Sequence, residues 1–300
     1  MKLRENVPLA KLTTVGIGGP ARWFAEPEAI ADLVAALEWA ERESLVVAVI
    51  GLGSNLLVSD AGFPGLALRL VGNLASVEAS DSSRRGTVLA AGGGATLAVC
   101  LHRARDAGLG GLEFACAIPG TIGGAVWMNA GAYAGDLSRI LVRALVATST
   151  GATWFTPEEL GMSYRRSGLY RGQVVAAAEL QLVQRPVDEI RAEIARLQTL
   201  RKRSQPTNKR TFGSVFKNPS HEMTAGQMLD ACGLRGFQIG GAQISPKHAN
   251  FIENTGGATA GAVIELIAEA RRRACRRFGV TLEPEVQLLG PIEVPPLDEA

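Results

Sequence analysis

The chain has 300 residues, of which 47% are hydrophobic and 20% charged, a balance that predicts a folded protein of two or three domains rather than a disordered chain. Thirty-one basic residues against twenty-nine acidic leave a formal charge of +2, too little for a protein whose affinity comes from neutralising the phosphates of a nucleic acid. No stretch approaches about 18 uninterrupted apolar residues, and the opening MKLRENVPLAKL lacks an apolar export segment, so a cytoplasmic protein with no membrane partner is expected.

Ile30, Leu33, Val34 and Leu37 fall at helical spacing just after Pro27, which predicts an amphipathic helix over 28–42. A short apolar strand, 46–50, runs into the tight loop Gly51-Leu-Gly-Ser-Asn55 and a second strand, LLV. Residues 86–95 repeat the pattern, and Thr96 is placed to cap a helix that stops at Gly108. Apolar strands are predicted at 139–148 and 173–184, with a turn at Thr150-Gly151. A polar helix over 188–203 sets Ile190, Ile194 and Leu197 on one face, and Pro206 marks a boundary. Beyond it come helices near 225–232 and 259–278, the second ended by Gly279, and strand-like segments at 213–217 and 280–289. The tail PIEVPPLDEA, with three prolines, belongs on the surface.

Thirty-five glycines are about one position in nine, against a usual share of roughly 7%, so some part of the fold requires bare backbone. There is no Gly-Lys pair, which excludes a P-loop. Gly16-Ile-Gly18-Gly-Pro-Ala21 fits G-x-G-x-x-A on paper, but Pro20 and Pro27 interrupt the helix such a fingerprint opens. Gly51 to Asn55 and Ile118-Pro-Gly-Thr-Ile-Gly-Gly124 are the better cradles for a pyrophosphate, with ordinary turn chemistry as the competing reading of each. Asn129-Ala-Gly-Ala-Tyr133 extends the second as a small-residue surface. Four scattered cysteines and three histidines make neither a C-x-x-C pair nor a metal-ligand spacing, so structural thiols, structural or surface histidines and no metal are expected. The arginines at 271–273 and 276–277 lie in the last turns of a helix, where a solvated face explains them better than RNA does.

Taken in order, Thr14 to Ala21, Gly51 to Val58, IPGTIGGAVWMNAGAY at 118–133, SYRRS at 163–167, GSVFKNP at 213–219, AGQMLDACGLRG at 225–236 and LEPEV at 282–286 resemble the UDP-N-acetylenolpyruvoylglucosamine reductases almost end to end. These are flavoenzymes that complete UDP-N-acetylmuramate for peptidoglycan. The resemblance implies an α+β protein: a two-domain FAD-binding fold of the vanillyl-alcohol oxidase and p-cresol methylhydroxylase type plus a C-terminal α+β substrate-binding domain. The implied limits are 1–72, 73–203 and 204–289, with the chain end 290–300 returning to the first domain. It implies FAD, held without a covalent tether, on Gly51, Gly53, Ser54 and Asn55 and on Pro119, Gly120, Thr121, Gly123 and Gly124, with NADPH as co-substrate reducing the flavin before the sugar nucleotide enters.

The same resemblance makes Arg165, Ser214 and Glu285 the catalytic residues, with Ser214 the proton donor, and Tyr164, Lys217 and Asn218 substrate contacts. Ala117 and Thr211-Phe212 depart from the family pattern, which leaves the loop shape there open. The tyrosines are Tyr133, Tyr164 and Tyr170 and none later, which points to the short subclass without a tyrosine-bearing insertion; a monomer is expected. An FAD-dependent sugar or alcohol oxidase of the same fold and a non-catalytic flavin or sugar-nucleotide-binding module are the competing functions.

Overall fold

Leu141–Thr148 is apolar at consecutive positions because both faces of its sheet are buried. Ala144 and Val146 belong to one core and Leu145 and Ala147 to another, as the period of two along a strand requires. The same alternation divides Val174, Val175 and Ala176. In the computed structural model, which describes residues 2–82 and 86–297, these strands are the middle of a five-stranded sheet. Its order is Gly151–Phe155, Leu141–Thr148, Val174–Gln181, Gly86–Gly92, Val77–Ser82, and every neighbouring pair is antiparallel.

The chain divides into two compact units, the first comprising 1–5, 23–52 and 65–201 and the second 6–22, 53–64 and 202–300. In the first, helix α1 (Ile30–Arg42) packs Leu33, Ala36, Leu37 and Ala40 on one face of the sheet. The other face is covered by α2 (Leu97–Asp106), the short α3 (Ile122–Met128) and α4 (Val187–Ser204), through residues such as Leu97, Leu101, Ile122, Val126, Ile190 and Ile194. Thr96 caps α2 by accepting a hydrogen bond from Val99 N at 3.2 Å, and Gly108 follows it at φ 68°, the left-handed conformation that glycine adopts without strain. A smaller sheet has the order Leu3–Pro8, Pro20–Ala25, Phe63–Leu68, Val47–Val49, the last pair parallel. Pro20 opens a strand there, so the glycine run before it leads into a sheet and not into a helix.

The second unit has one core, built from Val15, Ile17, Phe212, Val215, Phe216 and the buried stripe Val263, Leu266, Ile267, Ala270 and Ala274 of the long helix α6 (Ala260–Phe278), with α5 (Ala225–Ala231) beside it. The first amides of α6 are met by Asp60, whose carboxylate accepts from Ala260 N at 3.0 Å and Gly261 N at 3.3 Å, and by Thr259 Oγ1, which accepts from Ala262 N at 3.1 Å. This is the acid-at-the-N-terminus arrangement the helix dipole favours. Gly279 ends α6 at φ 67°.

Leu56–Val58 pairs in parallel with Gln287–Leu289, and that pairing draws 53–64 into the second unit. In the described tail Ile292 and Val294 pack on the second core, which also holds Val15, Ile17 and Leu57; positions 298–300 lie outside the described residues. Of the strand expected over 280–289 only Gln287–Leu289 is regular, because Pro284 has no N–H to continue a ladder. The arginine run is taken up within the unit: Arg271 donates to Leu282 O and Pro295 O, Arg273 lies over Phe237, and Arg272 and Arg273 pair with Glu269.

Candidate active site

In the first unit the two glycine segments meet. A Cβ on Gly51 would lie 2.6 Å from Thr121 Oγ1, and one on Gly123 would lie 2.9 Å from Gly93 O, while Gly93 itself could not carry one without reaching 1.9 Å from Val175 O. Those glycines are required by the protein's own packing. Gly120 and Gly124 are not. Neither has a positive φ, and an added Cβ would meet nothing nearer than Leu97 Cδ1 or Thr121 Oγ1, each at 3.7 Å. Glycine where the fold does not need it leaves bare main chain for something else to approach closely, which is the condition a flat, phosphate-bearing group such as FAD sets. Thr121 secures the turn, its hydroxyl accepting from Gly124 N at 3.4 Å.

Arg165 sits at the tip of a tight turn closed by Ser163 N to Arg166 O at 2.9 Å and Arg166 N to Ser163 O at 3.1 Å. Its φ of 54° is left-handed, an uncommon conformation for a non-glycine residue that persists where surroundings impose it. The turn is bound on both flanks to the last turn of α3 and the loop after it. Asn129 Nδ2 donates to Ser163 O at 2.9 Å, Ser167 Oγ donates to Trp127 O at 2.7 Å, and the Arg165 guanidinium donates to Gly131 O at 2.6 Å while lying 5.0 Å from the Tyr164 ring. Asn129, Tyr133 and Ala134 also have positive φ, so three positions of the loop under the arginine are held in left-handed backbone.

A cavity of about 470 Å³ lies beside that loop, lined by Phe114, Tyr133, Ala134, Arg185, Glu193 and Leu197 among others, and no residue expected to hold the cofactor lines it. Its carboxylates are already engaged, Glu113 with Arg185 at 3.0 Å and Glu193 with Arg196 at 2.7 Å. Nearby, burial pulls the Arg201 guanidinium below its ordinary range, with Tyr133 and Cys116 acting in the opposite sense.

In the second unit Ser214 lies on an extended segment held from two sides. Val215 N donates to Asn250 O at 2.9 Å, Glu285 N donates to Val215 O at 2.7 Å, and Lys217 N donates to Glu283 O at 3.0 Å. Ser214 pairs with Phe251 and Phe216 with Pro284 in isolated bridges. The expected serine and glutamate are thus brought onto adjoining segments. Asn55 joins them, its Nδ2 donating to Glu285 O at 3.2 Å, and Gly213, at φ 83°, would place a Cβ 3.6 Å from Ser54 O. Gly53 is fixed by packing, since a Cβ there would reach 2.1 Å from Leu12 O. Thr14 closes the group, its hydroxyl donating to Thr211 O at 2.6 Å. Phe212, a departure from the family pattern, is fully buried in the core, whereas the Thr211 hydroxyl is buried without a partner.

Two expected substrate contacts have partners inside the unit. Lys217 Nζ donates to Glu283 Oε1 at 2.6 Å, and Asn218 Oδ1 accepts from Ala225 N at 3.1 Å, at the first residue of α5. Two asparagines, Asn129 and Asn250, are both buried; the sequence marked Asn129 only as part of a small-residue surface, and for Asn250 a lone amide between apolar neighbours, as in Ala249-Asn-Phe251, was the available signal. His248 accepts from Asn250 N through Nδ1 at 3.2 Å, and burial, helped by Arg235, pulls it below its ordinary 6.5. The four cysteines are free thiols, and burial pushes Cys100 up to about 12. Among the described residues no group of His, Cys, Asp or Glu could hold a metal, and no helix is long and apolar enough to cross a membrane.

Comparison with known proteins finds two domain families. Residues 21–156 match the FAD binding domain family, and residues 205–289 match the C-terminal domain of UDP-N-acetylenolpyruvoylglucosamine reductase. UDP-N-acetylenolpyruvoylglucosamine reductase 2 of Symbiobacterium thermophilum is 43% identical over 96% of this chain and 92% of its own, and the Sphingopyxis alaskensis reductase is 42% identical over 97% and 96%. The crystal structure of the Thermus caldophilus enzyme superposes with a TM-score of 0.82 at 37% identity, covering 96% of this chain and all of that one. With an α+β FAD-binding domain and a relative this similar along nearly its whole length, the chain is an FAD-binding oxidoreductase that belongs to the UDP-N-acetylenolpyruvoylglucosamine reductase family.

Proposed function

We propose that this chain reduces UDP-N-acetylglucosamine enolpyruvate to UDP-N-acetylmuramate at the expense of NADPH, in the cytoplasm, as a step of peptidoglycan precursor synthesis that serves cell shape and division. The observation that carries the reading is the pairing of the Ser214 and Glu285 segments through Glu285 N and Val215 O at 2.7 Å, inside the region that matches the family's C-terminal domain. In this reading residues 204–289 form the substrate domain, Gly51, Gly53, Ser54, Asn55 and Pro119 to Gly124 hold FAD without a covalent bond, and the absent tyrosine insertion leaves an open nucleotide site of the short-subclass kind.

FAD, once bound and reduced, supplies the hydride for the terminal carbon of the enolpyruvyl double bond. As that bond is reduced, negative charge spreads onto the conjugated carboxylate, and a cation must already be in place to receive it. Arg165 serves because a guanidinium stays charged and offers a carboxylate two parallel hydrogen bonds. Its fixed turn keeps it preorganised, the condition under which such donors are worth most. Ser214 then gives its hydroxyl proton to the carbon bearing the ether oxygen, and the resulting alkoxide is reprotonated from solvent. Glu285 orients the charged groups around the serine. Tyr164, Lys217 and Asn218 bind the sugar nucleotide, Lys217 exchanging Glu283 for an anionic group of the substrate.

The test is NADPH oxidation followed at 340 nm with purified protein and UDP-N-acetylglucosamine enolpyruvate. Substrate-dependent loss of NADPH with stoichiometric UDP-N-acetylmuramate supports the reading. Binding without turnover marks a non-catalytic module, and flavin that stays in an acid-precipitated pellet marks a tethered oxidase.

A further inference from the structure

The main chain of Phe216 has both hydrogen-bonding groups directed away from Pro284. In the pairing of 215–217 with 283–285 the bonds run through Val215 O and Lys217 N, so Phe216 N and O face the opposite side, where the ladder to 250–251 has already ended. The chain there turns back through Pro246, Lys247 and His248, and no strand continues. The side chain of Asn250 takes the place of the missing strand: Oδ1 accepts from Phe216 N at 2.9 Å and Nδ2 donates to Phe216 O at 2.8 Å. Asn250 and Phe216 are 4% and 2% exposed, so neither Phe216 group could turn to water instead. A side-chain amide is a short group that offers a donor and an acceptor side by side, as a peptide unit does.

The main chain of Asn250 is itself fixed at two points, and the histidine at one of them is packed on a neighbouring ring. Its carbonyl accepts from Val215 N at 2.9 Å, its N–H donates to His248 Nδ1 at 3.2 Å, and the His248 ring stands edge-on to Phe251 with centroids 5.0 Å apart. One residue therefore grips Val215 and Phe216, the two residues that follow Ser214. In an extended segment residues two apart point to the same face, so holding the Phe216 peptide groups fixes the direction in which the Ser214 side chain leaves the backbone.

We propose that Asn250 is a positioning residue that aims the Ser214 hydroxyl by clasping the Phe216 main chain in place of a missing strand. The proposal rests on the reading of Ser214 as proton donor. Misplacement of a reacting group by about 1 Å is enough to slow a step roughly 10²-fold. Asn250→Asp replaces the donor to Phe216 O by a second oxygen, whose repulsion from that carbonyl drives the side chain off both Phe216 groups with the smallest change in shape.

The experiment uses the holoenzyme and compares wild type, Asn250→Asp and Ser214→Ala in rapid mixing, following flavin reduction by NADPH separately from reoxidation by UDP-N-acetylglucosamine enolpyruvate, with hydrogen exchange read at the Phe216 amide. Expected for Asn250→Asp are faster Phe216 exchange, unchanged flavin reduction, reoxidation slowed about 10²-fold with KM little changed, and a larger solvent deuterium isotope effect as proton transfer becomes limiting. Equal slowing of both half-reactions overturns the proposal, as does a wild-type reoxidation rate in Asn250→Asp when Ser214→Ala is slow. A wild-type rate in Ser214→Ala overturns the role of the serine instead, and the proposal with it. Should Asn250→Asp fail to fold, wild-type exchange decides: a Phe216 amide as unprotected as an open loop contradicts the clasp.

Discussion

Asn55 is joined to the glutamate segment: its side chain donates to the main-chain carbonyl of Glu285 at 3.2 Å, and its own carbonyl accepts from Gln287 N at 2.9 Å. A residue expected to touch the cofactor is therefore also a fastener of the segment that carries Glu285, the carboxylate proposed to act beside Ser214. Asn55→Asp removes the donor and leaves the Glu285 carbonyl to Gln287 Nε2 alone, the loss of one hydrogen bond worth about 0.5–1.5 kcal/mol. The melting temperature of FAD-free protein should fall. A decrease confined to the FAD-loaded protein would show that Asn55 serves the cofactor alone.

Gly120, proposed to face the cofactor, and Gly93, fixed by packing, give a contrast that can be measured. Gly120→Ala has room inside the protein, with Leu97 Cδ1 at 3.7 Å, whereas Gly93→Ala would press on Val175 O at 1.9 Å. The first should leave the apo-protein's melting temperature unchanged and raise the Kd for FAD. The second should destabilise the apo-protein, within the overpacking range of about 1–3 kcal/mol or beyond it. Calorimetry of both variants with and without FAD checks the contrast.

Arg165→Lys keeps the charge and loses the planar fork. Turnover of the enolpyruvyl substrate should fall about 10²- to 10³-fold, or roughly 2.7–4 kcal/mol of transition-state stabilisation, with flavin reduction by NADPH untouched. Stopped-flow measurement of the two half-reactions reads this directly, and equal losses in both would place Arg165 elsewhere in the cycle.

His248 gives the fold a pH dependence. Burial, then Arg235, lowers it below 6.5, against a smaller upward pull from Asp230. In the window between the lowered folded value and about 6.5 the unfolded chain binds a proton that the folded chain refuses, so stability is full above this window and is lost as the pH falls through it. Melting curves from pH 7.5 to 5 should show a steeper decline for wild type than for His248→Gln. Parallel declines would mean that other groups carry the dependence.

Much of the fold was legible because periodicity reports burial. The helices at 30–42 and 260–278 and the cap at Thr96 follow from apolar spacing and end residues alone. The short helix Ile122–Met128 was not legible, since three small residues in seven give no amphipathic signal. The segments of Ser214 and Glu285 read as strands but form only isolated bridges, because Pro284 cannot donate and Asn250 stands in for a strand. The family resemblance, and not periodicity, marked the serine, arginine and glutamate; the asparagines that hold their backbones gave little sign, because a side chain mimicking a peptide leaves no period in the sequence.

The central claim is that Ser214 supplies the proton. Single-turnover reoxidation of NADPH-reduced Ser214→Ala by UDP-N-acetylglucosamine enolpyruvate tests it most directly. Flavin reduction should match wild type while reoxidation slows by at least about 10²-fold. Reoxidation at the wild-type rate, or the same slowing in both half-reactions, would contradict it.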